Sequence, residues 1–225
     1  MRSMTDSTRP EVNPNDYIIT RKRKKYKFAK FYNSPLCFEF DEWSHRPADV
    51  IEIGAGTGLF SVEQAALHPA KQFVAIDVKA DRLQKGAYEA TERGLTNITF
   101  LRARADQVLE LFEADSLETI WITFPDPFPK KRSAGRRLTH RGYLTKYAQL
   151  LQPDNGRLCF KTDARELFLW SLEELVATGW RVNELSFDLH ESGLSEVYKI
   201  MTTYEHRWTS EGIPTNFVQA MPPRQ

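Results

Sequence analysis

The architecture of this chain follows from one stretch, Asp49-Val50-Ile51-Glu52-Ile53-Gly54-Ala55-Gly56-Thr57-Gly58. Its first half is a short apolar run of the kind that forms a buried strand, and three glycines alternate directly after it. Glycine allows the backbone to turn sharply and a ligand to approach the chain closely. Residues 60–67 then have a helical pattern. The stretch therefore predicts a strand, a tight turn and a helix, with a candidate ligand site at the turn.

The same alternation of strand and helix patterns continues along the chain. Strands are predicted at residues 49–53, 72–77, 98–101, 119–124, 157–161, 181–189 and 197–203, and helices at residues 60–67, 81–93, 107–112, 141–151 and 164–178. Strands that alternate with helices form a mostly parallel sheet covered on both faces. The prediction is therefore an α/β fold with a single doubly wound sheet. In such sheets ligands bind at the carboxyl ends of the strands, where the strand order reverses.

Length and composition predict one large domain preceded by two N-terminal segments. The 225 residues are 41% hydrophobic, which suits a single full core. Residues 1–16 are mostly polar and are predicted to form a disordered tail. Residues 17–47 are basic and aromatic and are predicted to be an irregular or partly helical lead-in. Residues 48–225 are predicted to form the main, catalytic domain.

Cysteine usage and hydropathy exclude several classes of protein. The two cysteines, Cys37 and Cys159, are far apart and have no metal-type spacing, so neither a disulfide framework nor a zinc site is expected. No apolar run approaches the roughly 18 residues of a membrane helix. The N-terminus has no signal-peptide pattern. We expect a soluble, cytoplasmic protein with no metal and no membrane partner.

The basic residues are concentrated rather than numerous. The formal net charge is only +1, but 13 of the 31 Lys and Arg residues lie within residues 21–30 and 130–141. Such concentration is typical of a surface that binds phosphates. Tyr26, Phe28, Phe31 and Tyr32 lie within or beside the first cluster, where aromatic rings can stack on bases. The alternative interpretation of each run is a solvated face.

Acidic residues stand at or just after the ends of four predicted strands. They are Glu52, Asp77, Asp126 and Asp163. Because the carboxyl ends of parallel strands meet at one edge of a sheet, we expect these carboxylates to lie close together. A carboxylate at Asp77 can accept both hydroxyl protons of a ribose. The alternative explanation is that aspartate initiates turns and caps helices well.

The glycine loop resembles that of one large enzyme family. The spacing G-x-G-x-G at Gly54, Gly56 and Gly58 differs from the G-x-G-x-x-G of dinucleotide sites. Together with Glu52 and Asp77, it resembles the class I S-adenosylmethionine-dependent methyltransferases. The resemblance implies the Rossmann-like fold of that class, with an antiparallel C-terminal strand, and S-adenosyl-L-methionine as the cofactor.

Four further motifs resemble those of a narrower family. They are Phe124-Pro125-Asp126-Pro127-Phe128-Pro129-Lys130-Lys131-Arg132, Arg136-Arg137, Lys161-Thr162-Asp163 and Thr202-Thr203-Tyr204-Glu205. In this order they resemble the signature of the bacterial tRNA (guanine-N7-)-methyltransferases, with Phe128 where tryptophan is more frequent. The resemblance covers the chain from about Tyr17 to Trp208. It implies methylation of N7 of a guanine in the variable loop of tRNA.

The resemblance also implies roles for individual residues. Those implied to line the cofactor site are Glu52, Gly54, Gly56, Gly58, Asp77, Arg104, Ala105 and Asp126. Those implied to contact the substrate are Lys130, Asp163, Thr202, Thr203, Tyr204 and Glu205, and those implied to contact RNA are Arg132, Arg136 and Arg137. Arg104 stands where the family has a polar or acidic residue. The group that meets the adenine therefore stays open between Arg104, Ala105 and Asp106.

The chemistry of the acceptor predicts what the site must supply. Guanine N7 is a lone-pair acceptor with no proton to remove, so neither a general base nor a metal is needed there. A carboxylate can accept hydrogen bonds from N1–H and the N2 amino group of guanine. It also stabilises the positive charge that moves onto the purine during transfer. We assign this catalytic role to Asp126, held rigidly by its flanking prolines, with Asp163 or Glu205 assisting.

Three alternative functions stay open at this stage. The chain could methylate a protein or a small molecule, although the basic clusters speak against a small molecule. It could bind RNA without catalysis, which the intact glycine loop and acids disfavour. It could be a nicotinamide oxidoreductase, which the glycine spacing disfavours. The oligomeric state is open between a monomer and a homodimer. The five histidines are scattered and are interpreted as ordinary loop or surface residues.

Overall fold

The strand and helix patterns assemble into one sheet with helices on both faces. The computed structural model describes residues 10–16, 22–44, 46–202, 205 and 209–223. Within these ranges the sheet has eight strands, in the order β1-β4-β3-β2-β5-β6-β8-β7. The strands are β1 (Cys37–Glu39), β2 (Val50–Ile53), β3 (Phe73–Asp77), β4 (Ile98–Arg102), β5 (Thr119–Thr123), β6 (Arg157–Thr162), β7 (Arg181–Ser186) and β8 (Asn216–Met221).

The helices connect the parallel strands. They are α1 (Lys22–Tyr32), α2 (Leu59–Leu67), α3 (Ala80–Glu92), α4 (Val108–Leu111), α5 (Arg141–Leu150) and α6 (Arg165–Ala177). Strands β1 to β6 run parallel to one another, whereas β8 is antiparallel to both β6 and β7. The predicted α/β class, the single mostly parallel sheet and the antiparallel C-terminal strand are confirmed.

The strand order reverses at β2. This strand pairs with β3 on one side and with β5 on the other, both parallel. After β2 the chain moves outward through β3 and β4, then returns to the far side of β2 as β5. A crevice therefore opens at the carboxyl ends of β2 and β5, where a doubly wound sheet binds its ligand.

Both faces of the sheet are buried. Ile51 and Ile53 pack with Ile120 and Phe160 on one face, and Val50 packs with Trp121 in a second apolar cluster on the other. Strands covered on both faces read as continuous apolar runs rather than as alternating patterns, which is why β2 to β6 are visible in the sequence.

The predicted strand at residues 197–203 is wrong within its described part. Glu196–Lys199 is a short 3-10 helix, and the antiparallel C-terminal strand is β8, at residues where no strand was predicted. The apolar side chain of Tyr198 stacks on Phe217 of β8, with ring centroids 4.5 Å apart. β8 begins with Asn216, whose side-chain amide donates to the Thr162 carbonyl at 3.0 Å, and its apolar pattern is interrupted by Gln219. Tertiary contacts therefore determine the secondary structure of residues 196–199 and of β8, which the local sequence pattern does not indicate.

The N-terminal segments are described in part. Residues 1–9 of the predicted tail and residues 17–21 lie outside the described residues. Val12 exchanges two hydrogen bonds with the side chain of Asn33, at the end of α1. β1, which was expected to be irregular or helical, pairs with β4 in the main sheet. The predicted division of the chain at residues 16 and 47 stays a prediction. Among the described residues, no helix is long and apolar enough to cross a membrane.

Candidate active site

A cleft of about 670 Å³ opens at the predicted edge of the sheet, above the carboxyl ends of β2, β3 and β5. Most residues predicted for the site are part of its lining. The predicted residues that line it are Glu52, Gly54, Gly56, Asp77, Arg104, Ala105, Asp126, Arg136, Asp163 and Thr202. The fold therefore brings together side chains that lie up to 150 residues apart in the chain. Gly58, Lys130, Arg132, Arg137 and Glu205 lie outside this lining.

The glycine loop is held against the acid at the end of β3. The Gly56 amide donates to Asp77 Oδ2 at 2.9 Å, and the Lys79 amide donates to Asp77 Oδ1 at 2.8 Å. Gly56 has φ +58°, and the space where a side chain would begin is open. Gly58 is instead packed from behind, because a Cβ there would lie 2.6 Å from the Phe100 ring. Gly58 thus shapes the loop, while Gly56 leaves room for a ligand.

The pKa of Asp77 is affected by the partial burial of its carboxyl group. Desolvation raises the pKa of this carboxyl from 3.8, and the hydrogen bonds from Gly56 and Lys79 oppose the rise. The backbone amides therefore favour the charged form, and the carboxylate lies at the rim of the cleft.

Glu52 is buried at the base of the cleft. Its oxygens accept from Ser61 Oγ and Thr123 Oγ1, each at 2.6 Å. Burial raises the pKa of Glu52 from 4.5 to about 7, although both hydroxyl groups and the charge of Lys161 act in the opposite direction. Glu52 is therefore poised to change its charge near neutral pH, and a cationic ligand beside it would favour the carboxylate.

Arg104 and Asp106 form an ion pair that lines the cleft just after the end of β4. Arg104 Nε donates to Asp106 Oδ1 at 2.8 Å, and Arg104 Nη2 donates to Asp106 Oδ2 at 2.7 Å. The pair lowers the pKa of the Asp106 carboxyl. Ala105 lies between them in the same lining. All three groups considered for adenine contact thus face the cleft, and the choice between them stays open.

Asp126 is exposed on a strained loop at the mouth of the cleft. Phe124 and Phe128 flank it with φ of 45° and 42°, a left-handed conformation that is rare for residues other than glycine. Each such residue costs about 1 to 2 kcal/mol, so the rest of the structure must hold the loop in place. Strain of this kind is concentrated at functional sites.

Two arginines, Arg136 and Arg137, contact the loop that carries Asp126. Arg137 donates to the Phe128 carbonyl at 3.1 and 3.3 Å and to the Pro127 carbonyl at 3.2 Å, and its guanidinium lies 4.4 Å from the Trp170 ring centre. Arg136 is exposed and lies 4.4 Å from the centre of the Phe128 ring. Arg137 is thus engaged within the protein, whereas Arg136 faces solvent. Their predicted RNA contacts stay predictions.

Exposed cations lie beside the Asp126 loop and on α1. Lys130, Lys131 and Arg132 are exposed where the 3-10 segment Lys131–Arg136 begins. α1 lies beside the carboxyl end of β4, because the Arg102 guanidinium lies 5.6 Å from the Phe28 ring centre. The exposed Lys24 lies 6.0 Å from the same ring. Both basic clusters therefore lie near the edge of the sheet that carries the cleft.

The C-terminal motif is built differently from what the sequence suggests. Thr202 lines the cleft, but Glu205 is fully buried beneath it. The Thr202 amide donates to Glu205 Oε2, and the Glu205 amide donates to Thr202 Oγ1, both at 3.0 Å. This reciprocal pair has the geometry of a capping box. Thr203 and Tyr204 lie outside the described residues.

Sequence reasoning missed several residues of the site. Ser61 and Thr123 bind the Glu52 carboxyl, and Tyr143 lines the cleft. Lys161 is buried and pairs with Glu205 at 2.7 Å, and His190 pairs with the same carboxylate at 2.9 Å. Lysine inside a buried strand is unusual, so Lys161 offered the one signal in the sequence. In the described part of the chain, His, Cys, Asp and Glu form no group of three that could hold a metal ion.

Comparison with known sequences finds a consistent set of relatives. The sequence model of a family described as "Putative methyltransferase" matches residues 46–217. The tRNA (guanine-N(7)-)-methyltransferase of Cytophaga hutchinsonii is 37% identical over 173 residues, which cover 76% of this chain and 78% of the relative. The enzyme of the same name from Lachnoclostridium phytofermentans is 34% identical over 210 residues, which cover 92% of this chain and 91% of the relative.

Comparison with solved structures supports the same class of fold. The 16S rRNA methyltransferase KamB has a TM-score of 0.60 and 16% identity, covering 81% of this chain and 90% of that one. The 16S rRNA (adenine(1408)-N(1))-methyltransferase from Catenulisporales acidiphilia has a TM-score of 0.58 and 16% identity, covering 96% and 97%. These likenesses concern the fold. The extent and identity of the sequence matches show that the chain belongs to the tRNA (guanine-N(7)-)-methyltransferase family.

Proposed function

We propose that this chain transfers the methyl group of S-adenosylmethionine to N7 of a guanine in tRNA, in the variable loop as the family resemblance implies. The observation that carries the proposal is the position of Asp126. It stands exposed on a strained loop at the mouth of an acid-lined cleft, with exposed cations directly after it. The names of the relatives give the acceptor class, tRNA guanine N7.

The residues of the cleft fit S-adenosylmethionine. The open space beside Gly56 allows a ligand to approach the loop backbone, and Asp77 supplies a carboxylate suited to ribose hydroxyls. Glu52 supplies a second carboxyl, at the base of the cleft, that becomes anionic beside a positive ligand. S-adenosylmethionine is a sulfonium that supplies an electrophilic methyl group. Glu52 and Asp77 bind and orient it in this proposal.

Asp126 acts on the guanine. Its carboxylate accepts hydrogen bonds from N1–H and the N2 amino group, which positions N7 and selects guanine over adenine. N7 attacks with its lone pair, so Asp126 removes no proton. Its fixed negative charge stabilises the positive charge that develops on the purine. Asp163, which lines the same cleft, assists in holding the base.

The exposed cations bind the tRNA backbone. Lys130, Arg132 and Arg136 lie on the side of the Asp126 loop, and α1 lies beside the carboxyl end of β4. Phosphate contacts from these side chains supply affinity and orientation but no base specificity. The target base must leave its stacked position to reach the cleft, as in other enzymes that modify bases. We place this reaction in the cytoplasm, and the proposal holds for a monomer or a homodimer.

The test is methyl transfer from labelled S-adenosylmethionine to an unmodified tRNA transcript. The transcript is then treated with cleavage chemistry specific for N7-methylguanine. The proposal predicts label in tRNA and cleavage at one guanine. Label without such cleavage would contradict the N7 assignment. An absence of label with retained cofactor binding would direct the search to another acceptor.

A further inference from the structure

Lys161 is a buried lysine whose ammonium group has three partners in one C-terminal segment. Its side chain has no exposed surface, and Nζ donates to the Ile200 carbonyl at 2.6 Å and to the Tyr198 carbonyl at 3.3 Å. The third partner is Glu205 Oε2, at 2.7 Å. A buried charge costs several kcal/mol unless it is paired and hydrogen-bonded, and the three partners of Nζ meet this requirement.

The partners of Lys161 belong to the segment of the chain that contributes Thr202 to the lining of the cleft. Glu205 binds the amide of Thr202, and Thr202 lines the cleft. The other oxygen of Glu205 is bound by His190 at 2.9 Å, so both carboxylate oxygens are engaged. Lys161 lies two residues before Asp163, which lines the cleft from β6. One ammonium group therefore joins the two segments that carry the predicted substrate contacts.

We propose that Lys161 is a positioning residue, which ties Tyr198, Ile200 and Glu205 to β6 and thereby sets the distance between Thr202 and Asp163 across the substrate side of the cleft. The inference rests on the proposed function, because it concerns tRNA rather than cofactor. The cofactor side of the cleft is formed by contacts that Lys161 does not make, between Gly56 and Asp77 and between Arg104 and Asp106, and Lys161 acts there only through its charge near Glu52. Loss of the Lys161 ammonium should therefore lower kcat/KM for tRNA more than it weakens the binding of S-adenosylmethionine.

Methionine in place of Lys161 has a similar length and no donor. The carbonyls of Tyr198 and Ile200 would lose their bonds from Nζ, and Glu205 would lose its buried counter-charge. Burial lowers the pKa of Lys161, and the carboxylate of Glu205 opposes this change. The ammonium form and the position of residues 198–205 are thus coupled through the same contacts.

The experiment compares the full chain with Lys161→Met and with a control, Leu158→Ala. Leu158 is buried on the same strand, and its truncation destabilises the core without touching residues 198–205. Three quantities are measured for each: the Kd for S-adenosylmethionine by calorimetry, kcat and KM for tRNA, and hydrogen exchange of the peptide spanning residues 198–205.

For Lys161→Met we expect faster exchange in residues 198–205 and kcat/KM for tRNA lower by roughly a hundredfold, as for a misplaced binding group. The cofactor Kd should change far less, because Lys161 acts on the cofactor side only through its charge near Glu52. Leu158→Ala should keep the wild-type kcat/KM at a comparable loss of Tm. Equal kcat/KM for the two variants, corrected for the folded fraction, would overturn the inference.

A second pair of variants covers failure of Lys161→Met to fold. Glu205→Gln neutralises the partner, and adding Lys161→Met to it removes the ties to Tyr198 and Ile200 as well. The double variant should have the lower kcat/KM for tRNA, and equality with Glu205→Gln would overturn the inference. If the wild-type chain does not methylate tRNA, the proposed function fails instead. In that case hydrogen exchange in the peptide spanning residues 198–205 still tests whether Lys161 positions this segment.

Discussion

Replacement of Glu52 by glutamine should change how the stability of this protein depends on pH. In the folded chain burial raises the pKa of Glu52 from 4.5 to about 7. Between these two values the unfolded chain has lost the proton while the folded chain still holds it. The stability that comes from this group is therefore fully present below pH 4.5 and is lost as the pH rises through about 7. Glutamine does not titrate, so Glu52→Gln removes this loss.

The size of the effect follows from the same two pKa values. The difference between the pKa values of 4.5 and about 7 corresponds to about 3 kcal/mol of unfolding free energy once Glu52 is ionised in both states. Between pH 5 and pH 8 the free energy of unfolding of the wild type should fall by about 2 to 3 kcal/mol relative to that of Glu52→Gln. The hydroxyl groups of Ser61 and Thr123 can also accept from the glutamine amide, so the variant is expected to fold.

The assay is urea unfolding of both chains at pH 5, 6, 7 and 8 without added cofactor. A substitution of the exposed Glu113 by glutamine controls for the loss of one carboxylate elsewhere. The reasoning predicts that the difference between wild type and Glu52→Gln grows with pH and levels off above about pH 7. A difference that is constant from pH 5 to pH 8 would refute it, because the folded-state pKa would then be ordinary.

Three further predictions concern the loop, the base and the RNA. Asp126→Asn should lower kcat by about 10²- to 10³-fold with an unchanged Tm, since Asp126 is exposed; near-normal turnover in the labelled-methyl assay would remove its assigned role. Gly58→Ala should cost about 2 to 4 kcal/mol in urea unfolding, because it combines a left-handed φ with a contact on the Phe100 ring; a loss below about 1 kcal/mol would contradict the packing argument. Replacing both Lys130 and Lys131 by alanine should reduce the slope of log Kd for tRNA against log salt by about 2, and an unchanged slope would place the RNA elsewhere.

The parts of the site that were predictable are encoded locally. Glu52 and Asp77 stand near the ends of strands that are buried, and the glycine loop follows the first of them. The apolar runs that predict β2 and β3 therefore also place the residues at their ends. Once β2 and β5 are parallel neighbours, Asp126 must lie near Glu52. Pattern and topology together therefore predict which acids share the cleft.

The parts that were missed depend on distant contacts. Lys161 finds Glu205 across 44 residues, and no periodicity indicates that pairing. The left-handed conformations of Phe124 and Phe128 go against residue preference and need the fold around them. The pattern T-x-x-E at Thr202 is a capping-box signal in its own right, yet only the structure shows that its glutamate turns inward.

The most direct measurement uses a tRNA assembled with a single 7-deazaguanosine at the guanine that this protein methylates. This analogue keeps the N1–H and N2 donor edge that Asp126 would bind, but it has no lone pair at position 7. We predict that this tRNA binds with the Kd of the unmodified transcript and accepts no methyl group, while 7-deazaguanosine at a neighbouring guanine leaves transfer intact. Methyl transfer to the substituted position would contradict N7 as the acceptor atom, and with it the role assigned to the cleft.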